Sequence, residues 1–147
     1  MNKEDLRISM NIFLKLYFDS CKEVYNEINF ERITGKQFKY LKAINEKGQV
    51  TLTELADQFS ISKPTVNEFI NKMHKTGILK KKKSNEDKRV TYISLTEIGK
   101  VLATTNKLEG EKLVSNLQSL LSEEDLITIS TIFNKIGVER KWYLGKQ

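Results

Sequence analysis

The sequence predicts a mainly α-helical protein with six helices and a small β-hairpin. Apolar side chains recur at helical spacing along most of the 147 residues, which is the pattern of amphipathic helices. Two short runs, residues 78–83 and 90–95, flank a polar turn and predict the hairpin. One proline and seven glycines leave little room for flexible linkers.

The composition argues against several kinds of site. Cys21 is the only cysteine and His74 the only histidine, so no intrachain disulfide can form and a zinc site rich in Cys and His is not expected. We expect no metal and no cofactor. The longest apolar runs fall short of the ~18 residues that span a bilayer, and the N-terminus lacks the apolar core of a signal peptide. These features predict a cytoplasmic protein.

The positive charge is concentrated in one part of the chain. Residues 61–93 hold nine Lys and Arg against three acids, and the remaining residues hold sixteen of each. The net charge of +6 therefore lies in less than a quarter of the sequence. A phosphate-binding surface concentrates charge in this way, although a solvated, lysine-rich patch is the alternative.

The first helix, expected over residues 4–29, is apolar on more than one side. One side carries a series at helical spacing, and a second side adds three further residues: Met10, Phe13, Leu14, Tyr17, Cys21, Val24 and Ile28, then Ile12, Leu16 and Phe18. A helix of this kind must be covered from more than one direction. A partner subunit is a natural cover for it.

Two capping boxes predict where the next helices begin. Thr34 with Gln37 opens the second helix, and Thr51 with Glu54 opens the third, which runs through Phe59. Between these helices, Val50 is expected to pair as a short strand.

The helices between residues 52 and 76 have the pattern of a helix-turn-helix. Ala56 provides the small residue at the crossing, and Ser62 caps a fourth helix with Pro64 in its first turn. The inward positions are all apolar: Leu55, Phe59, Ile61, Val66 and Phe69. A left-handed turn at Ser60, where glycine is common, costs roughly 1 kcal/mol. With the hairpin, this pattern predicts a winged helix-turn-helix.

The outward face of the fourth helix has the chemistry to bind DNA. Amides pair with adenine, a carboxylate accepts from cytosine, and a threonine methyl contacts thymine. The predicted base-reading residues are Thr65, Asn67, Glu68 and Asn71. The predicted phosphate contacts are Ser62, Lys63, Lys72, Lys75, Lys82 and Lys83. The alternative for each residue is an ordinary exposed surface.

The hairpin and the following helices complete the prediction. Arg89 is expected to enter a minor groove, braced by Asp87 through a charge-assisted bond. The alternative is that the lysines simply protect an edge strand. Thr96 is expected to cap a long fifth helix that extends to Leu121, and Ser122 a sixth helix through Ile136.

Several motifs, taken in order, resemble the MarR family of bacterial transcription regulators, with the related SarA group as an alternative. They are Thr34-Gly35-Lys36-Gln37-Phe38, Glu54-Leu55-Ala56, Ser62-Lys63-Pro64-Thr65-Val66, Lys75-Thr76-Gly77-Ile78-Leu79, Asp87-Lys88-Arg89 and Ile93-Ser94-Leu95-Thr96-Glu97-Ile98-Gly99. The resemblance implies a homodimer on a pseudo-palindromic DNA operator. It implies a dimerisation region of residues 1–32 and 97–147 around a DNA-binding region of residues 33–96. It also implies a pocket for a small aromatic effector.

Four aromatic residues are candidates to line that pocket: Phe13, Tyr17, Phe38 and Tyr40. The alternative is that they belong to the core. Some relatives sense peroxide through a cysteine four residues before a tyrosine, but Phe13 stands four residues before Tyr17. Cys21 is therefore expected to be an inert core residue.

Other classes of function have weaker support. The sequence contains neither a phosphate loop nor a nucleophile with a histidine partner, so we do not expect an enzyme. A winged-helix module that binds RNA or protein remains the alternative. RNA-binding modules usually expose stacking aromatic residues, whereas residues 61–93 offer only Phe69 and Tyr92.

Overall fold

The computed structural model describes residues 2–142. These residues form helices α1 (Lys3–Glu27), α2 (Gly35–Lys47), α3 (Leu52–Phe59), α4 (Lys63–Lys75), α5 (Glu97–Leu102), α6 (Thr105–Leu120) and α7 (Glu123–Glu139). The strands are β1 (Gln49–Thr51), β2 (Leu79–Lys83) and β3 (Thr91–Leu95). The predicted class, mainly helical with a small β-hairpin, is confirmed. None of the helices in this described range combines the length and apolar character needed to cross a bilayer.

The chain divides into two units. The winged-helix unit comprises Ile28–Leu108, and the terminal unit comprises the chain up to Glu27 and from Glu109 onward. The DNA-binding region predicted from the sequence, residues 33–96, lies within this winged-helix unit, which also contains residues 28–32, α5 and the start of α6. Residues 1 and 143–147 of the predicted dimerisation region lie outside the described residues.

The helix starts follow from local capping. Thr34 and Gln37 form a reciprocal capping box, in which the Thr34 N–H donates to Gln37 Oε1 at 2.8 Å and the Gln37 N–H donates to Thr34 Oγ1 at 3.1 Å. Thr51 and Glu54 form the same arrangement at 2.7 and 3.2 Å. Each pair satisfies two backbone donors that a helix start leaves unpaired. Both predicted capping boxes are therefore confirmed.

The three strands form an antiparallel sheet in the order β1-β3-β2. Ile93 lies in the central strand, opposite Val50 of β1 and Lys81 of β2. The predicted pairing of Val50 is therefore confirmed, and the hairpin is extended to three strands. Ile93 and Val50 are only 2 % and 1 % exposed, which places this face of the sheet toward the core.

The core of the winged-helix unit is apolar and comes from every element of that unit. Its buried apolar side chains are Tyr40, Leu41, Ala43, Ile44, Val50, Leu55, Ala56, Val66, Ile70, Met73, Ile78, Leu79, Ile93, Leu95, Leu102 and Ala103. Burial of a side chain the size of leucine or isoleucine contributes about 1.5–3 kcal/mol. This core fixes α4 and the sheet as one body.

The expectation of a single long fifth helix is wrong, and residues 2–142 contain seven helices. Residues 103 and 104 form a turn between α5 and α6. There the Thr104 hydroxyl donates to the Val101 carbonyl at 2.9 Å and the Thr105 hydroxyl donates to the Leu102 carbonyl at 3.0 Å. Threonine hydroxyls that compete for helix carbonyls in this way favour a break. Leucine spacing continues through the break, so the apolar pattern does not reveal it.

The terminal unit contains α1, most of α6, and α7. Phe13 of α1 packs against Phe133 of α7 with ring centroids 5.8 Å apart. Lys112 of α6 donates to Glu27 of α1 at 2.5 Å. All the large hydrophobic side chains that are exposed within residues 2–142 belong to this unit: Leu6, Ile8, Met10, Ile12, Leu14, Phe18, Val114, Leu120, Ile127, Ile132, Phe133, Ile136, Val138 and Trp142.

The backbone of Gly99 in α5 lies close to the backbone of Ile78 at the start of the hairpin. A β-carbon at Gly99 would lie 2.3 Å from the carbonyl oxygen of Ile78. The Thr96 hydroxyl lies 2.7 Å from the carbonyl oxygen of Gly77 and accepts from the Gly99 N–H at 3.2 Å. Only a residue without a side chain fits at position 99 in this arrangement.

We expect Gly99→Ala to lower the free energy of unfolding by about 1–3 kcal/mol, because the added methyl group overpacks against rigid backbone. Gly110→Ala in α6 is the matched control, because a β-carbon there meets nothing within 4 Å. We expect Gly110→Ala to be neutral or to stabilise by about 0.5–1 kcal/mol. Urea denaturation followed by circular dichroism measures both. Equal stability of the two variants would contradict the close approach.

Candidate nucleic-acid interface

The turn between α3 and α4 sets the start of the predicted recognition helix. Ser60 adopts the left-handed conformation, with φ 52° and ψ 44°, so the strained turn expected from the sequence is present. The Thr65 N–H donates to Ser62 Oγ at 3.3 Å, and a proline occupies the first turn of α4. The Ser62 cap is therefore confirmed, and Ser62, Lys63 and Thr65 at the start of α4 are exposed.

Burial of one stripe fixes how α4 is rotated. Val66, Ile70 and Met73 are 0 %, 2 % and 3 % exposed, and the ring of Phe69 packs edge-on against Tyr40 with centroids 4.8 Å apart. At ~100° per residue, the opposite side of the helix must face outward. The predicted base-reading residues Thr65, Asn67 and Glu68 are exposed, and Asn71 is half-buried.

The predicted phosphate-binding residues lie in two places. Ser62, Lys63, Lys72 and Lys75 are exposed at or near α4. Lys82 and Lys83 are exposed on β2, where successive side chains point to opposite faces of the strand. These two lysines therefore project in different directions, which the run of four lysines in the sequence does not indicate.

The tip of the wing is ordered by an ion pair. Arg89 Nε and one terminal guanidinium nitrogen donate to the two carboxylate oxygens of Asp87 at 3.1 and 3.2 Å, and the Arg89 backbone N–H donates to the same carboxylate at 3.0 Å. The Ser84 hydroxyl accepts from the Asp87 N–H at 3.3 Å. Arg89 is thus held at the tip with its side chain 91 % exposed.

The titration of Asp87 follows from this contact. The Arg89 side chain first, and then its backbone N–H, lower the pKa of Asp87 below the usual 3.8. A carboxyl whose folded pKa is lowered contributes its stabilisation above the unfolded pKa and loses it as the pH falls through the folded value. The ion pair is therefore intact at neutral pH and is lost only in acid below pH 3.8.

Sequence reasoning missed one residue next to the α4 face. Lys81 Nζ donates to Asn71 Oδ1 at 2.5 Å, which connects β2 to a predicted base-reading residue. Lys81 also lines a cleft of about 510 Å³ together with Asn67 and Arg89. The detectable signal was alternation along β2, because Lys81 lies two residues after the buried Leu79.

The four predicted effector residues lie in different surroundings. Tyr40 is 4 % exposed and packs on Phe59 and Phe69 at 4.7 and 4.8 Å, which favours a core role for it. Phe38 and Tyr17 are half-buried. Phe13 lines an apolar cavity of about 520 Å³ formed by α1, α6 and α7. The effector pocket stays a prediction.

Cysteine and histidine are the residue types most often used in metal and redox sites, and the chain has one of each, Cys21 and His74. Cys21 is 1 % exposed, as expected for a core residue. His74 Nδ1 lies 3.0 Å from the Leu79 carbonyl oxygen, so the imidazole bridges the end of α4 to β2. Within residues 2–142, no cluster of three His, Cys, Asp or Glu side chains is placed to hold a metal ion.

Comparisons with known proteins agree with this geometry. Residues 33–91, which run from the start of α2 into β3, match the family model described as "MarR family". The chain is 24 % identical over 140 residues to the HTH-type transcriptional regulator MhqR of Bacillus subtilis (strain 168), over 95 % of this chain and 97 % of that protein.

Solved structures share the fold. YusO from Bacillus subtilis matches with a TM-score of 0.66 at 17 % identity, over 91 % of this chain and 93 % of that one. A MepR mutant from S. aureus, solved bound to an oligodeoxyribonucleotide, matches with a TM-score of 0.64 at 19 % identity, over 95 % and 99 % of the two chains. The family model matches residues 33–91, and the full-length relative and the shared winged helix-turn-helix fold agree with it, so this part of the chain resembles the MarR family.

Proposed function

We propose that this protein is a transcription regulator that binds double-stranded DNA as a homodimer on a pseudo-palindromic operator. The observation that carries the proposal is the outward face of α4, which is polar, exposed and accompanied by the excess positive charge of the chain. The winged-helix unit holds sixteen basic and eight acidic residues, a net charge of +8, whereas the terminal unit holds nine and eleven, a net charge of −2. Because the proposed ligand is DNA, the protein is proposed to act in the cytoplasm.

The face of α4 has the composition that major-groove binding requires. Its exposed residues near the N-terminal end are short and polar, and this end of a recognition helix approaches the base edges. Thr65, Asn67, Glu68 and Asn71 are the residues we assign to base reading. Lys63, Lys72 and Lys75, with Ser62, are assigned to phosphates, which fix the register without reading sequence.

The wing supplies a second contact. Arg89 stands exposed at its tip and is oriented by Asp87, and an exposed guanidinium suits a narrow minor groove. Lys82 and Lys83 flank this position on β2, and we assign them to the phosphate backbone. The solved MepR complex with an oligodeoxyribonucleotide supports the assignment of DNA as the ligand.

The apolar surface of the terminal unit supports the homodimer. In α7, none of the described residues is buried, although its side chains include Ile127, Ile132 and Val138. Exposed apolar area of this kind marks an interaction surface. A second copy of the chain is the occupant we propose, because the same unit presents apolar residues from α1 and α7 for a self-complementary interface.

Other functions have less support. The relatives with descriptive names are regulators, and the described cavities contain no nucleophile with a histidine partner, so nothing favours an enzyme. A module for RNA or for another protein lacks support, because the exposed face of α4 carries no aromatic side chain. Release of DNA by a small aromatic effector is a further part of the proposal, with the apolar cavity lined by Phe13 as its candidate site.

We expect Asp87→Asn to weaken DNA binding, even though it removes a negative charge from a DNA-facing surface. Without the carboxylate, Arg89 is no longer oriented in the free protein. DNA binding must then order its side chain, and the entropy lost in doing so weakens the complex. Glu86→Gln is the matched control, because it removes the same charge from the neighbouring exposed residue, and we expect equal or tighter binding. Fluorescence anisotropy with a duplex operator measures both. Tighter binding by both variants would contradict the role of Asp87 as a brace.

We expect Ile12→Asp to convert the dimer to a monomer at micromolar concentration. Ile12 is 67 % exposed, so a charge there leaves the single chain intact but opposes an apolar interface. Asn106→Asp, which adds the same charge to the exposed start of α6, is the control and should remain dimeric. Sedimentation equilibrium measures the masses. A monomeric native protein, or an Ile12→Asp variant that remains dimeric, would contradict this interface.

A further inference from the structure

The position of Lys81 is set by the register of the sheet. Leu79 pairs with Leu95 and Lys81 with Ile93, and directly opposed residues of neighbouring strands share one face of the sheet. Leu79, Ile93 and Leu95 are all at most 4 % exposed. Lys81 therefore lies on the core-facing side of β2, while Lys80 and Lys82 lie on the other side.

From this side, the lysine reaches α4. A lysine commonly buries its aliphatic stem along apolar surface and carries its ammonium group to a polar partner. Here the ammonium group of Lys81 donates to Asn71 Oδ1 at 2.5 Å. An ammonium group has three donors and no acceptor, so the contact itself requires the oxygen of the Asn71 amide to face Lys81 and the nitrogen to face away.

We propose that Lys81 determines the base preference of Asn71 by holding its amide oxygen. The proposal rests on DNA binding by α4, as proposed above. Adenine recognition by an asparagine needs both amide atoms, with the oxygen accepting from adenine N6 and the nitrogen donating to N7. Lys81 takes up one of the two lone pairs of this oxygen and turns the oxygen toward β2, so the amide nitrogen with its two donors is the group that Asn71 turns toward a base. Guanine, with acceptors at both O6 and N7, is the base that such a pair of side chains selects.

Lys81 is distinct in this respect from the other lysines of β2. Lys80 lies opposite Ser94 and Lys82 opposite Tyr92, on the face away from α4. Lys83 shares the face of Lys81 but lies two residues nearer the turn of the hairpin, opposite Thr91. Among the described lysines of this strand, Lys81 is the one whose ammonium group contacts a base-reading residue.

The test is a selection from randomised duplexes with the native protein and with the Lys81→Met, Lys80→Met and Asn71→Ala variants. Methionine keeps a similar stem and removes the donor and the charge. Asn71→Ala identifies the base position that Asn71 reads, as the position at which it loses the native preference. Affinities for operators carrying guanine or adenine at that position are then measured by fluorescence anisotropy at one salt concentration.

We expect native protein and Lys80→Met to prefer guanine there, and Lys81→Met to lower the guanine-to-adenine affinity ratio by about fivefold or more. An unchanged ratio in Lys81→Met, with or without weaker overall binding, would overturn the role of Lys81 while leaving DNA binding intact. The role of Lys81 would also be overturned if Asn71→Ala left the base preference unchanged at every position, or if the native protein preferred adenine at the position that Asn71 reads. If the native protein enriches no sequence, the proposed function fails together with this inference.

Discussion

The rotation of α4 is the constraint on which the proposed interface depends. The helix buries Val66, Ile70 and Met73 almost completely, and a helix with one fixed stripe has no freedom to turn the rest of its surface. Because the buried residues pack with a core built from the whole winged-helix unit, the direction of the polar face is a consequence of core packing. The polar residues can therefore vary to suit a DNA sequence without changing how the helix is held.

Charge and apolar surface are separated between the two units of the chain. The winged-helix unit carries the whole excess of positive charge and exposes no large hydrophobic side chain among its described residues. The terminal unit is slightly acidic and exposes many such side chains. One unit is thus suited to a polyanion and the other to an apolar partner, and the same chain can serve both needs without exposing apolar surface to DNA.

Local chemistry made much of the fold predictable. Capping side chains such as Thr34, Thr51 and Ser62 act within three residues of themselves, so their effect can be inferred from spacing alone. The buried stripe of α4 follows equally from periodicity. The break after α5 was missed, because it depends on threonine hydroxyls bonding to carbonyls inside an apolar repeat that continues without interruption.

The site was less predictable where it depends on pairing between distant segments. A run of four lysines shows no alternation of polar and apolar side chains by itself. The register of β2 with β3 shows that Lys81 faces α4 and that Lys82 and Lys83 point in different directions. The pairing of Asp87 with Arg89 was accessible from the sequence, since the two residues lie in one turn. The contact between Lys81 and Asn71 spans ten residues and two elements. Alternation from the buried Leu79 indicates the face on which Lys81 lies but not its partner on α4.

The salt dependence of binding to duplex DNA tests the central claim most directly, because released counterions report how many phosphates the protein neutralises. If α4 and the wing of both protomers contact phosphates as proposed, the affinity of the native protein for its selected operator should fall on the order of a thousandfold between about 50 and 200 mM salt. A decline of less than about tenfold over that range would contradict an interface built on the basic residues of the winged-helix unit.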